Sequence, residues 1–413
     1  MTSILLLPLL LYIYFLSPAT AQTKHVATDL FNSLEELSRI VDISYCVGTT
    51  GVQQPFQCLS RCIEFPDLEL VTTWNTGLLL SDSCGYIALS HTPTSKQILL
   101  AFRGTYSITN TIIDLSAYPQ AYIPYQDEEN TCENCTVHAG FMRSWLNTRT
   151  EIIPRISALR EQYPDYPITL VGHSLGGAIA ALAGLEMRLK GWDATVTTFG
   201  EPMIGNWAFA RFLDEQFGLD GITIPPPGGS EGGQRFRRVT HVGDPVPMLP
   251  LVEWGYSPHA GEVFISKEGL PPRVEDVVHC VGADDPACIA GGGSEGALGE
   301  LYRDLNIPVG LAGDGEGCRS TGGSGSGDGA MAGEQAVLGH PVGSDLGCED
   351  RLSPLRWDWS LIPARYRLWE LFYAHRDYFW RIGLCVPGVI QLGRVYVSIW
   401  VGCGRWLLGL LLI

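Results

Sequence analysis

The sequence predicts an α/β fold, a mostly parallel central sheet with helices on both faces. Three observations carry that expectation. Strand-like and helix-like runs alternate along the chain, the order that builds a parallel sheet. The 413 residues are 46% hydrophobic and only 17% charged, enough apolar material for a sizeable core. And a glycine-flanked serine, Ser174, joins an apolar run to a small-residue helical run.

The elements follow in chain order. Ile4 to Leu16 is almost wholly apolar, and Ala19-Thr20-Ala21 gives a small-x-small site, so residues 1–21 read as a signal peptide cut after Ala21. No Lys or Arg precedes the apolar run, which leaves an uncleaved membrane anchor as the alternative, but the run is short for a span. Residues 28–42 predict a helix capped by Thr28 or Asp29, with Leu30, Leu34, Leu37 and Val41 at helical spacing. Cysteine-rich turns are expected up to about Asp82, then strands over 86–90 and 98–103. A helical stretch covers 141–163, where Pro154 is expected to kink or break it. A strand at 168–172, a helix at 175–190 and a strand at 195–199 complete the alternation.

The organisation beyond these elements is a single folded domain over 22–290 and 350–386. Residues 291–349 hold 18 glycines in 59 positions and read as a flexible insertion. Residues 387–413 form an apolar tail broken by Arg394 and Arg405. It is a candidate membrane tail or lipid-anchor signal, or equally an extension of undetermined role.

The net charge of −17 argues against a nucleic-acid partner and against attraction to anionic headgroups; contact with lipid would have to use apolar surface. The twelve cysteines, in a secreted chain, are read as disulfides. The short spacings Cys58-x3-Cys62 and Cys132-x2-Cys135 also suit zinc, but no nearby histidine pair completes a ligand set. No metal and no cofactor are expected.

The chemistry concentrates at Gly172-His-Ser-Leu-Gly176, a G-x-S-x-G sequence with an apolar strand before it and a small-residue helix after it. A serine on that sharp turn has an exposed hydroxyl and a strained backbone. The Leu175 amide then faces the place where an oxyanion would form. A chance glycine turn is the bland alternative. His173 adjoins the serine, but neighbours on a tight turn diverge, so it is expected to pack or hydrogen-bond rather than act as a base. A serine nucleophile needs a base, and the base an orienting carboxylate. Asp244, in Val242-Gly-Asp-Pro-Val-Pro247, fits that order, although an aspartate before proline is also a common turn. His259, His279 and His375 all follow it, and the local sequence leaves the base open among them. His375 lies in an aromatic run from Trp369 to Trp380 that would wall a base from water, or place a histidine on a helix surface.

Taken jointly, these segments resemble the fungal triacylglycerol lipases, the class 3 lipases of the α/β-hydrolase fold. Phe102-Arg-Gly-Thr105 resembles their first oxyanion segment, Val137-His-Ala-Gly-Phe141 their H-x-G-F motif, and Phe199-Gly-Glu-Pro-Met-Ile-Gly-Asn206 their G-x-P-x-x-G-N turn. The resemblance covers roughly 28–290 and 355–386. It implies Ser174 as nucleophile, His375 as general base and acid, Asp244 as its orienter, and Thr105 with Leu175 as the oxyanion hole. It implies disulfides Cys58–Cys62, Cys132–Cys135 and Cys46–Cys385; the pairing of Cys280 with Cys288 is our own reading. It also implies a lid after Thr105, where Ser107, Ile108, Ile112 and Ile113 would form a short helix with an apolar side, the alternative being an ordinary core-facing turn. That segment lacks the tryptophan often seen there. The implied protein is a secreted, monomeric hydrolase acting on lipid esters at an oil–water interface. A soluble carboxylesterase or feruloyl esterase on the same fold is the nearest alternative, and an inactive binding protein tethered by its tail is the alternative from another class.

Overall fold

The computed structural model describes residues 25–77, 82–93, 95–105, 115, 122–124, 132–219, 234–289 and 373–386. The expected signal segment 1–21, the expected lid residues Ser107, Ile108, Ile112 and Ile113, and residues 291–349 and 387–413 lie outside them. Among the described residues no helix is long and apolar enough to cross a membrane.

The chain begins with helix α1 (Thr28–Ile43). Its N-cap is Ala27, which offers no side-chain oxygen, so the expected cap by Thr28 or Asp29 is not formed. Both residues lie inside the first turn, where Asp29 still suits the positive helix end. Strands β1 (Leu68–Asn75), β2 (Cys84–Ser90) and β3 (Gln97–Phe102) follow. β1 corrects the expectation of turns up to Asp82. Its register shifts between Leu70 and Thr72, a bulge that reverses which side chains face which side. Leu68 and Leu70 therefore join the core on one face and Trp74 the core on the other, and no single alternation marks the strand.

Next come short strands β4 (Tyr122–Pro124) and β5 (Thr136–His138) and the long helix α2 (Ala139–Gln162). α2 runs unbroken through Pro154, against expectation. Pro154 and Thr150, whose carbonyl loses its donor, both lie on the exposed side, where that carbonyl is open to solvent. The remaining elements are β6 (Ile168–His173), α3 (Leu175–Leu189), β7 (Ala194–Phe199), β8 (Gly205–Asn206), α4 (Trp207–Phe217), β9 (Phe236–His241), β10 (Tyr256–Ser257), β11 (Glu262–Ile265) and β12 (Val277–His279).

Eight strands form the main sheet in the order β1-β2-β3-β6-β7-β9-β11-β12. The central run from β3 to β11 is parallel, and the edges at β1, β2 and β12 are antiparallel. The buried parallel strands alternate between two cores. Ile98, Leu100, Ile168, Leu170 and Val196 pack with α2, α3 and α4 on one face. Leu99, Ala101, Val171, Phe199 and Val239 pack with α1 on the other. A small sheet, β10-β8-β5-β4, follows the ends of the main strands. All four expected disulfides are present, Cys46–Cys385, Cys58–Cys62, Cys132–Cys135 and Cys280–Cys288, while Cys84 is a buried free thiol.

Candidate active site

β6 ends at His173 and α3 begins at Leu175, so Ser174 alone makes the turn between them. Its φ of 57° and ψ of −130° are values that an L-residue rarely holds. Tight packing keeps it there. The Ser174 amide donates to the Phe199 carbonyl at the end of β7, and the Ser174 carbonyl accepts from Gly177. A Cβ on Gly172 would strike the Gly176 carbonyl, and one on Gly176 the carbonyls of Phe102 and Arg103, so both flanking positions need glycine. Leu175 is the first helical residue, and its amide has no carbonyl four residues back within the helix to bond. Gly104, just before Thr105, packs so closely that an added Cβ would lie 2.9 Å from Ser174 Cβ. The strand end bearing Thr105 thus abuts the serine.

Asp244 follows β9 and is fully buried. One carboxylate oxygen accepts from the Val246 amide at 2.9 Å, and the other accepts from the Tyr378 hydroxyl. Both lie 2.9–3.0 Å from His375 Nδ1. Nδ1 must carry the hydrogen of that contact, and in the uncharged imidazole this leaves Nε2 with a lone pair. Nε2 is buried with no hydrogen-bond partner, and so is Ser174 Oγ. Two complementary groups, an acceptor and a donor, are thus each buried without a protein partner. Gly200, at φ +60°, packs against the imidazole, so that a Cβ there would lie 2.9 Å from His375 Nδ1. Because Gly200 follows the Phe199 carbonyl that holds Ser174, one short segment touches both the serine and the histidine.

The other candidate histidines go elsewhere. His259 Nε2 lies 2.9 Å from Glu201, and its Nδ1 lies 2.7 Å from the Ala260 carbonyl. His279 is buried on the edge strand β12, opposite Val263. His173 is a hydrogen-bonding residue, as expected, with Nδ1 2.6 Å from the Tyr45 hydroxyl and Nε2 2.8 Å from the His375 carbonyl. Burial holds its pKa well below the usual histidine value, and the neighbouring His375 pushes it the same way. His138, in the H-x-G-F segment, caps α2 by accepting from the Gly140 and Phe141 amides, and burial lowers its pKa to about 4. Tyr45 and Tyr378 were not foreseen. Tyr378 had a usable signal, three residues after His375 in an aromatic run; Tyr45, 128 residues from its partner His173, had none.

The family description "Lipase (class 3)" matches residues 99–254. The chain is 46% identical over 398 residues to a secreted mono- and diacylglycerol lipase 2 of Gibberella zeae, covering 90% of this chain and 86% of that protein. It is 48% identical to lipase A of Sodiomyces alcalophilus, covering 90% and 85% respectively. Among solved structures it is similar to a nonglycosylated Yarrowia lipolytica lipase, with 36% identity, a TM-score of 0.61, and coverage of 65% of this chain and 91% of that one.

Proposed function

From its membership of the class 3 lipases, the family to which this chain belongs, we propose that it is a secreted serine lipase hydrolysing acylglycerol esters. The reading rests most heavily on one observation: Ser174 Oγ and the lone-pair nitrogen of an Asp244-held His375 are both buried and both without a partner. In this reading Ser174 attacks the ester carbonyl while His375 Nε2 takes its proton. Asp244 holds the tautomer and stabilises the imidazolium that forms. The Thr105 and Leu175 amides receive the oxyanion. His375 then protonates the leaving alcohol, and water repeats the sequence on the acyl-enzyme. The catalytic domain spans 22–290 and 350–386, the leader 1–21 is removed, and the enzyme acts outside the cell as a monomer on lipid ester at an oil–water interface. Secreted acylglycerol lipases among its relatives support that setting.

The test measures hydrolysis of a soluble short-chain ester and of emulsified long-chain acylglycerols by the secreted protein, with Ser174→Ala alongside. The expected result is long-chain activity that rises at the interface and disappears in the variant. Short-chain activity alone would make it an esterase, and activity surviving Ser174→Ala would refute the nucleophile.

A further inference from the structure

Resting on the lipase reading above, we propose that Tyr45 and His173 are positioning residues, joined in one hydrogen-bond chain that runs from a hydroxyl packed against the oxyanion segment to the main chain of the base. The chain begins at the Tyr45 hydroxyl, which packs so closely on Gly104 that a Cβ there would lie 2.4 Å from it. Gly104 directly precedes Thr105, and its lack of a Cβ is what lets the hydroxyl approach. The Tyr45 hydroxyl lies 2.6 Å from His173 Nδ1. At the other side of the ring, Nε2 lies 2.8 Å from the His375 carbonyl oxygen.

The direction of each bond follows from the partners. A carbonyl oxygen only accepts, so His173 Nε2 carries the hydrogen. His173 is held uncharged by burial, so Nδ1 carries none and must accept from the tyrosine. Both donors point the same way, from the hydroxyl beside the oxyanion segment through the residue before the nucleophile to the peptide of the base, and bonds aligned in this way polarise one another.

The chain gives His375 a second anchor. Asp244 holds its ring, while His173 holds its backbone. Tyr45 is itself fixed, since the next residue, Cys46, is disulfide-bonded to Cys385 in the segment that carries His375. An uncharged His173 has a further use. Its ring centroid is 4.7 Å from that of His375, where a second cation would oppose the imidazolium that forms during catalysis. Tyr45 thus fixes the one tautomer that lets His173 serve both sides.

The experiment uses the full-length secreted protein, a soluble short-chain ester and active-site titration with a fluorophosphonate. Tyr45→Phe keeps the ring and removes the hydroxyl. Its kcat per titrated site should fall about tenfold, with KM within about twofold, the rate equivalent of one buried hydrogen bond's worth of alignment. His173→Gln retains a donor and an acceptor on one carboxamide carbon, and should keep about tenfold more kcat per titrated site than His173→Leu. A Tyr45→Phe protein with unchanged kcat per titrated site would overturn the proposal, even if its unfolding midpoint dropped, because the hydroxyl would then be structural only. Equal rates for His173→Gln and His173→Leu would also overturn it. Wild-type activity that survives Ser174→Ala would instead remove the lipase reading, and this inference with it.

Discussion

Two buried histidines in this protein each face a carboxylate at 2.9 Å, His375 with Asp244 and His259 with Glu201. A search for histidine–acid pairs would return both. They differ at the second ring nitrogen. In His259 it meets the Ala260 carbonyl, so both ring nitrogens are already engaged by protein oxygens. In His375 it meets nothing, and a serine hydroxyl in the same neighbourhood also meets nothing. The comparison teaches that a carboxylate makes a histidine well oriented, while an unsatisfied second nitrogen makes it available.

The sharpest way to break the comparison is to remove each ring in turn. His375→Gln should lower kcat by about 10⁴-fold or more, measured on a soluble ester with the fold checked by circular dichroism. His259→Gln should leave kcat per folded molecule within about threefold and lower stability by about 3 kcal/mol in urea unfolding, since Glu201 loses its partner. A reversal of the two patterns would show that the wrong histidine has been placed in the mechanism. The carboxylates come next. Asp244→Asn should reduce kcat about 10³- to 10⁴-fold by favouring the wrong tautomer, whereas Glu201→Gln should act on the denaturation midpoint and hardly on rate. Tyr378→Phe removes only one of the donors to Asp244, and a fall in kcat of about tenfold or less is expected.

The smallest effect at neutral pH concerns histidines without a carboxylate bonded to them. His138 has a folded pKa of about 4, below its unfolded value, because burial opposes its charge. The unfolded chain therefore binds the extra proton first, and stability is lost as pH falls from about 6.5 toward 4. The loss from this one residue is about 3 kcal/mol at most. His138→Asn keeps an acceptor at the helix start and cannot titrate, so its unfolding free energy should depend less steeply on pH over that window. An unchanged slope would assign the acid sensitivity to other groups, such as His173 and His241, which burial shifts in the same direction.

The legible parts of the molecule were those in which one local pattern carried the whole message. β6, Ser174 and α3 were readable because a strand, a turn and a helix lie within about twenty consecutive residues. The buried strands β2, β3 and β7 were readable as short apolar runs. β1 was not, because its bulge splits the strand between two cores. The two-residue strands β8 and β10 have too few positions to show any period. At the site, local sequence favoured His375 over His259 only slightly, and the family resemblance separated them. That is physically reasonable, since the deciding feature is what the second nitrogen touches, and it depends on segments 131 residues apart for His375 and Asp244. Tyr45 was hidden for the same reason.

The link between Cys46 and Cys385 closes across 339 residues. During synthesis the nucleophile segment emerges long before residue 385, so the arm bearing His375 is the last part to be fastened. Fastening it requires that residue 385 has been made and that the compartment is oxidising. The arm that carries the base is therefore held to the rest of the fold by a covalent bond that a reducing compartment would not let form.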